Sequence, residues 1–162
     1  MVASYTCLNE YICVMESQIE YIYETDFSLN EENRYSSWLV RCSNRYGADS
    51  LFLAFAFMDD KALHALNLQH LQHDTLTDII AFDDSVGKEI CANIAISVER
   101  IKANALTYSV SFETELLRVM AHGLLHCLGF SDKTSAAVKE MRAEEDFCIS
   151  LFHVEHKNAT DV

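Results

Sequence analysis

The chain has 162 residues, half of them hydrophobic, and its 25 acidic against 12 basic side chains give a formal net charge of −13. That length and apolar share describe a single domain able to bury a core, and no stretch approaches the roughly 20 uninterrupted apolar residues of a membrane span. The acidic balance also argues against a protein whose affinity comes mainly from lysine and arginine neutralising nucleic-acid phosphates.

Residues 1–17 read as an N-terminal extension that packs as an extra strand or helix or stays a tail, and residues 18–162 as one domain. No lysine or arginine precedes Arg34, which speaks against a secretory signal. From residue 19 to 27 the apolar residues alternate as in a first strand. Asn30-Glu31-Glu32 looks like a capped helix start, followed by the stripe Tyr35, Trp38, Leu39 and Cys42 and a stop near Gly47. The continuous apolar run over residues 51–58 predicts a central strand covered on both faces. Asp59 or Asp60 can cap a helix over residues 61–70, and a polar loop over 72–77 leads into a strand over 78–82. After the Ser85-Val86-Gly87-Lys88 turn come a strand over 90–98, a short helix from Glu99 and a long helix from Phe112. The last helix, over residues 134–152, carries Ala137, Met141, Cys148 and Leu151 on one stripe. This order predicts an α+β fold, a small mixed sheet of about four strands packed with about five helices.

Cys7, Cys13, Cys42, Cys91, Cys127 and Cys148 are scattered without a Cys-x-x-Cys pair, which favours reduced thiols in a cytoplasmic protein. Proline is absent, so helix ends must rely on glycine and polar caps.

The segment with the most chemistry is Met120-Ala121-His122-Gly123-Leu124-Leu125-His126-Cys127-Leu128-Gly129-Phe130-Ser131-Asp132. Side chains at i and i+4 share a helix face, so His122 and His126 are neighbours. Gly129 readily takes the left-handed conformation that ends helices, and the turn can swing Asp132 back toward the imidazoles. A His/His/Asp site with an open fourth position suits a catalytic metal. The pair alone leaves other readings open: seven histidines in 162 residues produce this spacing by chance in roughly one chain in four. Half-buried imidazoles and Asp132 as cap of the helix near Thr134 account for the same residues without a metal. Cys127, about 100° round the helix from His126, reads as a packed residue.

The run from His122 to Asp132 resembles the His-Gly-x-Leu-His-x-x-Gly-aromatic segment of the YbeY family of metal-dependent endoribonucleases in ribosomal RNA maturation. Leu66-Asn67 followed by residues 73–82, and then residues 94–102, resemble that family's second and third signatures, in its order and spacing. The likeness runs from about Gln18 to about Leu151, and it implies a zincin-like metal helix. It also implies a single-strand endoribonuclease that acts in ribosomal RNA maturation and ribosome quality control. His122, His126 and Asp132 would then be metal ligands, with zinc the first expectation and ribosomal RNA, the ribosome or a basic ribosomal protein as partners. Asp132 stands where most members carry a third histidine, which makes the site harder and more anionic and opens it to manganese. Leu71 stands where many carry an arginine implicated in cleavage, and Ala92-Asn93 replaces the usual Gly-Asp.

A divalent ion at such a site lowers the pKa of a coordinated water and polarises a phosphoryl oxygen, both suited to phosphodiester hydrolysis. Gly123 occupies the place of the glutamate base in His-Glu-x-x-His peptidases, which counts against a metallopeptidase. His73 is a candidate acid–base or substrate contact, or an exposed loop residue. Arg100 is a candidate phosphate clamp, or half of an ion pair with a nearby carboxylate. Arg118 and Lys102 read as solvated surface; Glu144 reads as half of a surface pair or a residue at the edge of the last helix's stripe, with an inward orientation toward the site as the alternative. The competing function is a non-catalytic, metal-stabilised factor that binds the ribosome or another protein.

Overall fold

The apolar periodicities resolve into nine elements among the residues the computed structural model describes, 16–71 and 76–159. In chain order they are β1 (Glu16–Tyr23), α1 (Glu32–Arg45), β2 (Ser50–Met58), α2 (Asp60–Leu71) and β3 (Ile79–Asp83). Then follow β4 (Glu89–Ser97), α3 (Val98–Tyr108), α4 (Phe112–Cys127) and α5 (Ser135–Ala159). The sheet order is β1-β2-β4-β3, with β1 and β4 parallel to β2 and β3 antiparallel to β4. The α+β class and the small mixed sheet are as expected. The extension expected over residues 1–17 lies outside the described residues, apart from Glu16 and Ser17, which already belong to β1. His73 lies outside them too.

Side chains alternate faces along each strand, so the register decides what each face carries. One face presents Leu51, Leu53, Phe55 and Phe57 from β2 and Ile90, Ile94 and Ile96 from β4, all buried. Trp38 and Leu39 of α1, Leu117 and Leu124 of α4 and Phe152 of α5 pack into the same core. Among the described residues the other face is covered only at one end, where Leu63 of α2 meets Met58, Ile80 and Ala95. Phe52 and Ala54 are only half-buried, so β2 is central but not covered on both faces along its length. The reason is topological: among the described residues a single helix, α2, lies on that side before the chain returns through the β3–β4 hairpin.

The first strand starts and ends earlier than its alternation suggests because pairing with β2 sets its limits, Glu16 opposite Ser50 and Tyr23 opposite Phe57. Phe27, beyond the strand, packs edge-on against Phe57 and Phe112. The expected cap at 30–32 is not made: Glu31 sits left-handed at φ 59° with no capping side chain. Tyr23 Oη donates to Glu32 Oε1 at 2.7 Å and ties that helix end to the sheet instead. Asp59 does cap α2, accepting from Ala62 N at 2.7 Å.

Candidate metal centre

α4 is a buried helix whose apolar side chains face the sheet, which leaves His122 and His126 on its opposite, part-exposed side. Gly123 shows how closely the helix lies on the strands: a Cβ there would stand 2.8 Å from Ile79 Cδ1 and 3.4 Å from Ile94. The position after the first histidine therefore faces the core, where a glutamate base could not reach a metal.

The C-terminus of α4 closes in a Schellman motif. Phe130 N donates to Leu125 O and Gly129 N to His126 O, both at 3.0 Å, with Gly129 left-handed at φ 96°. That turn delivers two groups to His126. Phe130 O lies 3.0 Å from its Nδ1, and Asp132 Oδ2 lies 3.6 Å from its Nε2. Asp132 is not the cap of α5, because Thr134 Oγ1 accepts from Ala137 N at 3.1 Å.

The two imidazoles stand nearly perpendicular, with Nε2 atoms 2.9 Å apart. His122 Nδ1 is 2.8 Å from Glu145 Oε1. A backbone carbonyl only accepts, and so does an ionised carboxylate, so both Nδ1 atoms carry the proton. When both rings are neutral, the two Nε2 atoms present lone pairs to each other at 2.9 Å, a contact that a bound cation, or a proton on one of them, resolves. One ligand atom each from His122, His126 and Asp132 all lie within 4.8 Å of one another, so this donor set fits a divalent ion.

Glu145, on α5 and nearly buried, is the support that sequence reasoning missed. Its Oε2 accepts from Arg118 Nη1 and Arg142 Nη1, each at 3.1 Å, while Oε1 holds His122. Burial pushes its carboxyl pKa up, but the His122 and Arg118 hydrogen bonds and the Arg142 charge outweigh that, leaving it lowered. Its position was legible: Glu145 follows Met141 by four residues and precedes Cys148 by three, a carboxylate on a buried stripe. Glu144, read from sequence as a surface pair or a residue at the stripe's edge, takes the Tyr46 hydroxyl and lies 3.7 Å from Arg45. Arg118 is no solvated surface residue, being 20 % exposed and paired with Glu145 and Asp146. Cys127 is buried, as expected of a packed thiol.

Arg100 sits elsewhere. Its Nη2 lies 2.8 Å from Asp60 Oδ2, its Nε is shared between both Asp60 oxygens, and Ser97 Oγ also donates to Asp60 at 2.5 Å. That cluster fastens the start of α2 to the start of α3, and Arg100 is not among the residues lining the cleft at the histidines.

That cleft, about 250 Å³, runs along α4 between α3 and α5, from His122 and Asp132 past Arg142 to Glu115 and Tyr108. Glu115 is buried, which raises its pKa; Arg118 pulls it down and Asp78 pushes it further up.

Comparison with known proteins agrees with the geometry. The family model described as Endoribonuclease YbeY matches residues 20–153. A relative named Endoribonuclease YbeY from Flavobacterium johnsoniae is 47 % identical over 137 residues, 85 % of this chain and 99 % of its own. Another of that name from Christiangramia forsetii is 43 % identical over 143 residues, 86 % of this chain and 98 % of its own. A solution structure from Thermotoga maritima, 24 % identical, shares the fold at a TM-score of 0.65 over 88 % of this chain and 94 % of its own. On a match to most of its length, the chain belongs to the YbeY endoribonuclease family.

Proposed function

We infer that the protein is a metal-dependent endoribonuclease whose centre is His122, His126 and Asp132, with zinc as its ion and ribosomal RNA as its substrate. The observation that carries this reading is the convergence of the two Nε2 atoms, 2.9 Å apart, with Asp132 Oδ2 3.6 Å from that of His126, each ring being held at Nδ1 by an acceptor. The ion would supply an activated water and a Lewis acid for a phosphoryl oxygen. The chain's own contribution is orientation. Glu145 fixes the tautomer and ring plane of His122, the Phe130 carbonyl does the same for His126, and Arg118 and Arg142 hold Glu145 ionised. His73 is the candidate for proton transfer or substrate contact. Arg100, committed to Asp60, acts by holding α2 and α3 together and not as a phosphate clamp.

The test is cleavage of end-labelled single-stranded RNA by the metal-loaded protein and by His122→Ala, with circular dichroism to show that both fold. Cutting by the parent and none by the folded variant supports the reading. Metal bound without cleavage would replace it with the non-catalytic factor. Cleavage retained in His122→Ala would remove the centre from the mechanism.

A further inference from the structure

The cleft continues well beyond the metal centre. Glu115 and His122 are seven residues apart on α4, about 10 Å at 1.5 Å per residue. Whatever occupies that far end therefore belongs to a neighbouring part of the substrate, not to the group at the histidines. Its lining there is Asp78, Asn104, Tyr108 and Glu115, with Arg118 one turn along α4. Tyr108, the last residue of α3, is 61 % exposed. Its place at the rim of the cleft leaves an aromatic face open to whatever the cleft holds.

Charge narrows the answer. Two carboxyl groups, Asp78 and Glu115, line this end, the neighbouring Arg118 is already paired with Glu145 and Asp146, and Asn104 Nδ2 is already donated to Asp78 Oδ2 at 3.1 Å. A phosphate would meet acceptors, whereas a nucleobase is uncharged, has two flat faces and presents N–H groups that carboxylates accept. Arg142, with 57 % of its side chain exposed, borders the cleft beside Glu145 and offers a cation to the linking phosphate.

We propose that the far end of the cleft is a nucleobase subsite, in which Tyr108 stacks the unpaired base of a nucleotide adjoining the scissile phosphate. The proposal rests on the reading of the site as an RNA hydrolase and supplies its strand preference. A base inside a helix is already stacked and paired, so only single-stranded RNA can offer one to Tyr108.

The experiment compares the metal-loaded parent with Tyr108→Ala, Tyr108→Leu and Tyr108→Phe on single-stranded and duplex RNA, following kcat and KM separately. Single-stranded oligonucleotides carrying 2-aminopurine beside the cleavage position report stacking directly by quenching. Removing one base stack raises KM about ten-fold. That rise is expected in the Ala and Leu variants, with kcat nearly unchanged, quenching lost and discrimination against duplex reduced; the Phe variant restores all three. Parent-like KM and quenching in Tyr108→Ala, or failure of Tyr108→Phe to restore them, overturns the subsite while leaving the hydrolase reading intact. A metal-loaded parent that cuts no RNA overturns both.

Discussion

At the scale of single residues, the site depends on which atom of each histidine holds its proton. His122 is governed by Glu145, a contact between residues 23 apart in sequence, and removing that carboxylate frees the ring to turn and to change tautomer. Glu145→Gln keeps an acceptor but loses the charge that Arg118 and Arg142 hold in place. Outer-shell changes of this kind cost about 10–100-fold in metal affinity. Competition against a chelator should show a loss in that range for Glu145→Gln and a larger one for Glu145→Ala; parent-like affinity in both would mean that Glu145 is only structural. Glu115 behaves in the opposite sense. Burial raises its folded pKa, so its contribution to stability is full below the ordinary carboxylate pKa of about 4.3 and is lost as pH rises through the folded value. Glu115→Gln removes that penalty. Thermal unfolding should find the variant at least as stable as the parent at pH 8, with the advantage vanishing near pH 4; a deficit at pH 8 would contradict the assignment. The His122–His126 pair, the Gly129 stop and the return of Asp132 were all legible, because i,i+4 spacing and a left-handed glycine act locally. The Glu145 contact was not read, since it depends on how α4 and α5 pack, although a carboxylate on the stripe of Met141 and Cys148 marked the place.

At the scale of elements, the periodicities located every strand and helix now described, and the misses lie at their ends. β1 is set by its register with β2, and α1 starts without the polar cap its sequence suggests. The Schellman turn after α4 is the element that matters most for function, because one backbone motif both ends the helix and aims Phe130 O at His126. That Arg100 could be half of an ion pair was legible, but its partner Asp60 was not: 40 residues separate the two, and only the packing of α2 against α3 unites them. Arg100→Ala should therefore destabilise the protein by about 1 kcal/mol for a part-exposed pair, lowering Tm by a few degrees. Activity per folded molecule should stay near the parent's. Selective loss of RNA binding at unchanged Tm would instead make Arg100 a substrate contact.

At the scale of the whole molecule, the sheet carries a dense core on one face, and the helices of that face carry the chemistry. α3, α4 and α5 meet along one cleft, with the candidate metal ligands His122 and Asp132 at one end and Tyr108 at the other. No helix among the described residues is long and apolar enough to cross a membrane. The net charge of −13 looked like an obstacle to an RNA substrate, yet it says little about the site itself. A divalent ion and the cleft-lining Arg142 would concentrate positive charge where a phosphate must sit, while the acidic floor beyond them suits a base. The central claim is that His122, His126 and Asp132 together hold one catalytic ion. Inductively coupled plasma mass spectrometry of the purified protein, beside His126→Ala and Asp132→Ala, tests it most directly. The account predicts near-stoichiometric zinc in the parent and its loss from both variants. A parent that holds no metal even after reconstitution, or variants that keep it, would contradict the account.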